Sequence, residues 1–356
     1  MVRPTCDAGV GTQASFLRQS FTLGGPGDGA VLSISALGLY RCFINGKRVG
    51  DDQLTPGWTS YWDRLSYQSY DVAGLLQAGD NTIDIWLGDG WYRSRMLWAK
   101  NPIINPWGNQ IGAIAELEIA GRLATKTDAT WQSGLLPVLK SGIYFGEIYD
   151  ATQEGLPANQ GSEVIEAFDD AVLIAHEVNG VKELAPLPVV SQFVDAEGRT
   201  IYDFGQNSGG YVAFTVAGER GARITVEHAE VIDNKGNFDP ASMRSAESRI
   251  EYVLNGDGVE AYRPTFTFFG FRFARVTIDG AAEIKSIVSV PISSAITPTG
   301  SFSSANALVN RLVENTIWSQ RSNFIEVPTD CPQRDERLGW TGDAGVRAGR
   351  LLPARQ

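Results

Sequence analysis

The fold and the function are decided by one stretch near the end of the chain, Val327-Pro-Thr-Asp-Cys-Pro-Gln-Arg-Asp-Glu-Arg-Leu-Gly-Trp-Thr-Gly-Asp343. These seventeen residues hold four carboxylates, two arginines and one tryptophan. Two prolines and two glycines interrupt them, so the stretch is predicted to be a loop that follows a helix rather than a plain helix. Carboxylates can transfer protons, an indole can cover the apolar face of a sugar, and Asp and Arg can hold hydroxyl groups. The stretch therefore indicates a sugar site, and the plainer alternative is a solvated charged loop.

The run from Asp330 to Asp343 resembles the signature of bacterial α-L-rhamnosidases, glycoside hydrolase family 78. The resemblance implies that Glu336 is the general acid. It also implies that the pocket for a terminal rhamnose is lined by Asp330, Arg334, Trp340 and Asp343. The family inverts the anomeric configuration, and its general base is a second glutamate much further along the chain than this sequence extends.

Composition and charge limit the functions and partners that the chain can have. The chain has 356 residues, enough for two or three domains, and 43% of them are hydrophobic, which supports real cores. The net charge of −11 argues against nucleic acids and anionic membrane surfaces as partners. The sequence has no apolar run long enough for a membrane span and no apolar signal core at its N-terminus. No signal peptide is therefore predicted, and the expected location is cytoplasmic or undetermined.

Cysteine and histidine content narrows the chemistry further. The three cysteines, Cys6, Cys42 and Cys331, are odd in number and far apart, which fits a reducing compartment better than a disulfide framework. The two histidines, His176 and His228, form no metal-ligand spacing with them. This argues against a zinc enzyme and a Ser-His-Asp hydrolase, although His228 stays open as a candidate base. No cofactor is expected apart from the calcium discussed below.

The first half of the chain predicts an antiparallel, jelly-roll-like β-sandwich over residues 16–150, preceded by a ragged segment at 1–15. Alternating strands flank Asn45-Gly46, a strong two-residue hairpin signal because both residues tolerate a positive φ. The run Gly88-Asp-Gly-Trp-Tyr92 and the closing Glu147-Ile-Tyr-Asp150 resemble the N-terminal domain of the same family. Some relatives of that domain bind rhamnose together with a calcium ion, so calcium is possible here.

Two clusters on this sandwich are candidates for sugar contact: Asp89, Trp91 and Tyr92 with Arg93, and Asn105, Pro106 and Trp107 with Asn109. The loop from Trp98 to Asn109 is the better candidate because ligand residues concentrate on loops. The alternative is that the tryptophans fill the core of the sandwich, since large aromatic side chains dominate cores.

A second β-sandwich is predicted over residues 190–297, after a connection with one or two strands at 151–189. Tyr211–Val216 and Arg223–Glu230 alternate in polarity, as half-buried strands do. The runs Asp203-Phe-Gly-Gln-Asn207 and Phe268-Phe-Gly-Phe-Arg272 resemble motifs of the family's β-domain. The overall fold class is therefore mainly β.

Residues 298–356 predict a short helical tail. Leu308, Leu312 and Val313 fall at helical spacing from about Ala305 to Gln320, with serines as possible caps. The segment resembles the first helix of the family's (α/α)6 barrel, whose twelve helices need roughly 200 residues. The chain is accordingly interpreted as truncated within the barrel, and Glu336 is expected to be solvated. The apolar helix face is expected to pack on a sandwich or on a second copy, giving a homo-oligomer.

Three functions remain open from the sequence. The first is α-L-rhamnosidase activity on rhamnose-containing glycosides or oligosaccharides. The second is a carbohydrate-binding β-sandwich protein without hydrolysis. The third is a stable fragment with an unrelated weak activity.

Overall fold

The computed structural model describes residues 1–98, 100–155 and 157–342. The chain is mainly β, with two large sheets and a short helical tail. In the described residues, no helix is long and apolar enough to cross a membrane.

The first part of the chain contributes sixteen strands. They are β1 (Val2–Pro4), β2 (Ser15–Leu23), β3 (Ala30–Leu37), β4 (Leu39–Ile44), β5 (Lys47–Arg48), β6 (Leu65–Asp71), β7 (Gly79–Gly88), β8 (Arg95–Met96), β9 (Ile103–Ile104), β10 (Gly112–Ile119), β11 (Arg122–Lys126), β12 (Gln132–Leu135), β13 (Val138–Gly142), β14 (Gly146–Asp150), β15 (Gln160–Val164) and β16 (Leu173–Ala175).

The first sandwich is built from two layers. One layer runs β16-β6-β3-β10-β1 and the other β12-β2-β7-β4-β5, and β15 joins them by pairing with both β1 and β12. Apolar residues of β2, β3, β4, β7 and β10 form the core between the layers, as their alternation predicts. At the predicted hairpin between β4 and β5, Asn45 and Gly46 have φ angles of 50° and 75°, as such a tight turn requires.

The remaining strands are β17 (Val181–Glu183), β18 (Leu187–Pro188), β19 (Ser191–Val194), β20 (Thr200–Gly218), β21 (Arg223–Ala229), β22 (Val231–Ile232), β23 (Phe238–Asp239), β24 (Arg249–Val253), β25 (Val259–Tyr262), β26 (Phe269–Asp279), β27 (Ala282–Ser294), β28 (Phe324–Ile325) and β29 (Val327–Pro328). The second sheet has the order β13-β14-β24-β21-β26-β20-β27-β17.

The long strand β20 folds the second sheet onto itself. Its first half pairs with β26, and its second half pairs with β25 and β27. The rings of Phe214 on β20 and Tyr252 on β24 meet edge to face at 6.0 Å, although three strand pairings separate them along the sheet. The two halves therefore face each other across an aromatic core, as in a sandwich.

Three expectations from the sequence need correction. The segment expected to be ragged contains β1, whose Val2 is buried and paired with both β10 and β15. The closing strands of the first domain, β13 and β14, belong to the second sheet, because β14 pairs with β24. That pairing is parallel, as is β16 with β6, so the sheets are not purely antiparallel.

The helical tail is α1 (Ala307–Asn323), capped by the Asn306 side chain, which accepts a hydrogen bond from Leu308 N. Its expected buried face is exposed: Leu308 is 81% and Leu312 64% accessible. The helix instead contacts β20 and β27 through its C-terminal turns, where Ser322 is buried. The prediction that a sandwich of the same chain covers Leu308 and Leu312 is therefore wrong.

Candidate active site

The candidate site lies on residues 327–342, which we call the motif loop. The loop begins at β29 and returns along it: Trp340 N donates to Pro328 O at 2.7 Å, and Asp330 N donates to Leu338 O at 2.9 Å. It rests on β26 at Gly270, where an added Cβ would come within 2.9 Å of the Gln333 backbone nitrogen. Glycine at this position lets the loop lie directly on the sheet.

The inner side of the loop is fixed by Arg337, whose side chain is 1% exposed. Its guanidinium donates to the carbonyl oxygens of Phe268 at 2.7 Å and of Gln333 and Arg334 at 3.2 Å each, and also to that of Ile143. Burial lowers the pKa of Arg337 to about 10. One buried cation thus ties the loop to both β13–β14 and β26.

Two neighbouring contacts reinforce this anchor. Asp335 is buried and accepts a hydrogen bond from Ser245 Oγ, and Tyr144 OH donates to the Glu336 carbonyl. Arg95 of the first sandwich donates to Ser245 O at 3.2 Å. The second sheet therefore holds the motif loop directly, and Arg95 acts on it only through Ser245. These contacts restrict the position of the Glu336 side chain.

The outer side of the loop brings together three of the predicted site residues. Arg334 Nη2 lies 3.0 Å from Asp330 Oδ2 and 2.8 Å from Glu336 Oε2. Arg244, from the segment before β24, adds a second guanidinium 3.3 Å from Glu336 Oε2. Only 19% of the Glu336 side chain is exposed, so the expectation of a solvated carboxyl is wrong. The two arginines and the anchored backbone shelter it.

The charge state of the cluster is set by its contacts. Burial opposes ionisation of Asp330, but contacts with Glu336, Cys331 and Arg334 outweigh it and lower the pKa of Asp330. Asp330 is thus a carboxylate at neutral pH and can accept hydrogen bonds from sugar hydroxyls.

The same cluster resembles a metal site only in its residue types. Ligand atoms of Asp330, Cys331 and Glu336 lie within 4.8 Å of one another. Burial raises the pKa of the Cys331 thiol to about 12, and the Arg334 guanidinium already occupies both carboxylates. Because the Arg334 guanidinium already bonds both carboxylates, the arrangement does not suit a metal ion. Among the described residues, this is the only such group of three side chains, and calcium on the first sandwich stays a prediction.

The two remaining predicted pocket residues are placed differently. Trp340 is 55% exposed and offers a free indole surface beside the loop. Asp343 lies outside the described residues. The predicted alternative base, His228, is buried and stacks on Phe269 at 4.1 Å, and burial lowers its pKa to about 3. A neutral, enclosed imidazole here is part of the core.

On the first sandwich, the structure separates the two predicted sugar-contact clusters. Asp89 is buried and bonded to Arg93 Nε and Gly11 N at 2.6 Å each, and burial raises the pKa of Asp89 to about 6. Trp91 is buried and stacks on Trp58 at 5.7 Å. These side chains serve the interior, so their predicted contact with sugar does not fit the structure.

The second predicted cluster lies near the motif loop. Asn105 and Trp107 are partly exposed, and Trp107 meets Trp58 edge to face at 5.9 Å. Trp107 also lines a cleft of about 540 Å³ between the first sandwich and the motif loop. The other residues lining this cleft are Trp58, Thr59, Ser60, Val327, Leu338 and Gly339.

Sequence reasoning missed the residues that hold the cluster from outside the motif, chiefly Arg244 and Ser245. They stand in an irregular segment between strands, where Arg244 has a φ of 55°. Nothing in their local pattern signals a role, because their contacts lie about 90 residues away in sequence. The runs around Asp203 and Arg272 did carry a signal: the structure joins them by a bidentate ion pair at 2.8 and 2.7 Å.

Comparison with known proteins gives a consistent result along the chain. Residues 28–181 match the model of the alpha-L-rhamnosidase N-terminal domain and residues 195–293 that of the bacterial alpha-L-rhamnosidase concanavalin-like domain. Residues 297–352 match the bacterial alpha-L-rhamnosidase 6 hairpin glycosidase domain. The alpha-L-rhamnosidase of Streptomyces avermitilis is 34% identical, over 96% of this chain and 34% of that protein.

Solved structures agree with these matches. The native rhamnosidase from Aspergillus terreus superposes with a TM-score of 0.89 at 33% identity, over 98% of this chain and 42% of that one. The Streptomyces avermitilis alpha-L-rhamnosidase complexed with L-rhamnose gives 0.86 at 34% identity, over 95% and 34%. The chain thus spans between a third and a half of these relatives. With both β-domains and the beginning of the six-hairpin domain matched in order, it belongs to the bacterial α-L-rhamnosidase family.

Proposed function

We propose that this chain carries the general acid and part of the sugar pocket of an inverting α-L-rhamnosidase that acts on rhamnose-containing glycosides. The observation that carries the proposal is the Asp330–Arg334–Glu336 cluster on a loop anchored by buried Arg337. A catalytic carboxyl must be held in a fixed place, and this loop holds one between two arginines.

Each residue of the cluster has a distinct task. Glu336 gives its proton to the glycosidic oxygen as the bond to the leaving group breaks. Asp330 and Arg334 hold ring hydroxyls by charge-assisted hydrogen bonds. The exposed Trp340 covers the apolar side of the deoxy sugar, and Asp343 is proposed to bind a further hydroxyl.

The inverting mechanism also needs a carboxylate base, about 6.5–9.5 Å from the acid, with a water between them. Asp330 does not fit this role because it shares a guanidinium with Glu336 and therefore lies on the same side of the pocket. General acid catalysis alone supplies roughly 10²–10⁴ in rate. We therefore expect the 356-residue polypeptide to bind the sugar and to hydrolyse it negligibly.

The test measures binding and turnover together. Calorimetry with L-rhamnose is expected to show binding by the chain and by Glu336→Gln, and weaker binding by Arg334→Ala. Nitrophenol release from an aryl α-L-rhamnoside is expected to be negligible for the chain and for Glu336→Gln. Glu314→Gln is the matched control, since Glu314 is exposed and contacts only Arg311 among the ion pairs of the described residues.

Two outcomes would contradict the proposal. Absence of rhamnose binding would contradict the proposed sugar pocket. Robust hydrolysis that Glu336→Gln abolishes would show that these residues, or a second subunit, already contain the base.

A second candidate function, weak sugar binding by the first sandwich, is favoured by the cleft beside Trp107. We propose that Trp107 contacts a deoxyhexose or a related sugar there, with or without calcium. Asn105 lies on the same loop but does not line the cleft, and its contact with sugar stays a prediction. Trp107→Ala should abolish a second rhamnose-binding event, whereas Trp98→Ala, at an exposed tryptophan not lining the cleft, should not. A single binding event in the intact chain would end this proposal.

A further inference from the structure

The residue directly before the motif loop, Glu326, stands at a tight turn with its side chain enclosed. Ile325 of β28 pairs with Val327 of β29, so Glu326 is the one residue between them. It adopts a left-handed φ of 66°, which is uncommon for a residue other than glycine, and its side chain is only 6% exposed. Such a conformation persists where the surrounding contacts hold it.

The contacts that hold Glu326 come largely from the first sandwich. His176, directly after β16, places its Nε2 3.4 Å from Glu326 Oε2. Gly57, in the segment between β5 and β6, faces the same carboxyl, because an added Cβ there would lie 2.8 Å from Glu326 Cδ. From the second sheet, Ser294 Oγ accepts a hydrogen bond from Glu326 N at 3.1 Å. The turn therefore joins the two sandwiches next to the motif loop.

Hydrogen bonds of the backbone connect this turn to the cluster around Glu336. Thr329 N donates to Asn323 O at 2.6 Å across the base of the β28–β29 hairpin, and Asp330 N then donates to Leu338 O at 2.9 Å. The Asp330 carboxylate shares the Arg334 guanidinium with Glu336. Because the backbone between the turn and Asp330 is short and bonded, a shift of the turn would also move Asp330.

The charges around the turn make its contact with the first sandwich depend on pH. The hydrogen bond to Glu326 raises the pKa of His176 although burial opposes it, and burial raises the pKa of Glu326. Asp52 and Tyr61 also face the pair, and Lys182 Nζ lies 2.8 Å from Asp52 Oδ1. The ion pair is therefore complete between the two raised pKa values. It weakens as the pH rises through that of His176.

We propose that Glu326 is a positioning residue for the rhamnose pocket, and that His176 of the first sandwich holds it in place. The first sandwich then contributes to the site besides any sugar that it binds itself, because it fixes the backbone from which Asp330 and Glu336 project. The effect on rhamnose rests on the proposed function, whereas the effect on the motif loop does not.

The first experiment measures hydrogen-exchange protection of the motif loop and needs no ligand. At about pH 6, where His176 is charged, protection of residues 327–342 should be about fivefold lower in Glu326→Gln than in the intact chain, as modest coupling between separate sites gives. Protection of β2 and β7 should not change, which distinguishes a loosened loop from general destabilisation.

The second experiment measures L-rhamnose affinity by calorimetry against pH. Affinity of the intact chain should fall about fivefold between about pH 6 and about pH 8.5, as His176 loses its proton. His176→Gln should remove this fall, because an amide can donate to Glu326 at every pH. Glu177→Gln is the matched control: Glu177 adjoins His176, but it is exposed and pairs with Arg64. It should keep the fall.

The outcomes separate this inference from the proposed function. Equal protection of the motif loop in the intact chain and in Glu326→Gln would overturn it, as would a loss spread over β2 and β7. Rhamnose affinity that is independent of pH, or that falls equally in His176→Gln, would leave the pocket standing and refute the positioning role. Lower loop protection in Glu326→Gln without rhamnose binding by the intact chain would support the contact between His176 and the loop and refute the pocket.

Discussion

Replacing Arg337 by methionine should destabilise the motif loop and the sheet beneath it. Methionine keeps a long apolar stem but leaves four carbonyl oxygens, those of Ile143, Phe268, Gln333 and Arg334, without their donor. Hydrogen bonds to a charged group contribute about 1.5–3 kcal/mol each. Against this, the lowered pKa of Arg337 shows that burying its charge costs on the order of 3 kcal/mol. Taking the lower end of the hydrogen-bond range, the net loss is about 3 kcal/mol.

The measurement is urea unfolding of the chain and of Arg337→Met, monitored by tryptophan fluorescence. The midpoint should fall with little change in slope, since the surface exposed on unfolding is nearly the same. Rhamnose affinity should fall too, because Glu336 and Arg334 adjoin the loosened residue. Arg311→Met is the control: Arg311 is exposed and paired only with Glu314 among the described ion pairs, so its loss should be under about 0.5 kcal/mol. A loss for Arg337→Met as small as for the control would refute the anchoring argument.

Three further predictions concern the rest of the chain. His176 Nε2 and Glu326 Oε2 lie 3.4 Å apart near Asp52 and Tyr61; the contact raises the pKa of His176, and burial raises that of Glu326. The folded chain then holds more protons than the unfolded one, so stability is full below the ordinary histidine pKa and falls as pH rises through the raised value. His176→Gln should flatten this part of the melting-temperature profile, and an unchanged slope would contradict it. Glu147 is buried and accepts hydrogen bonds from Tyr262 OH and from the backbone nitrogens of Thr265 and Phe266. Glu147→Gln should lower the free energy of unfolding in urea by about 2–3 kcal/mol, because the new amide donor would face these donors. An unchanged free energy of unfolding would contradict this. If exposed Leu312 pairs two copies of the chain, Leu312→Asp should lower the mass seen by light scattering, and a monomeric parent would rule out that homo-oligomer.

Local patterns in the sequence predicted the local structure well. Alternation predicted strands such as β20 and β21, and Asn45-Gly46 predicted the β4–β5 hairpin. Helical spacing placed a helix within a few residues of α1. Each of these signals comes from neighbours in the chain, and backbone conformation there is decided by neighbours.

Sheet membership was not predictable in the same way. β14 alternates like any strand, but its partner β24 lies about a hundred residues later and competes with nearer strands. Because alternation states only that one face is buried, it does not say against which sheet. For this reason the local pattern of β13 and β14 did not reveal that they belong to the second sheet.

For a related reason, the sequence could not predict which charged side chains of the motif loop point into the protein and which point outward. Glu336 and Arg337 are adjacent, yet one faces the cluster with Arg334 while the other is almost wholly buried. The left-handed backbone at Arg337, with a φ of 45°, contributes to this division, and a charged run gives no sign of which residue will adopt it. Two of the carbonyl oxygens that accept hydrogen bonds from Arg337 lie between β13 and β14 and next to β26. Strands remote in sequence therefore decide that Arg337 is the charged residue that points inward. The geometry of the Glu336 cluster is therefore a property of the second sheet as much as of the motif, and substitutions in that sheet should reach Glu336 through Arg337.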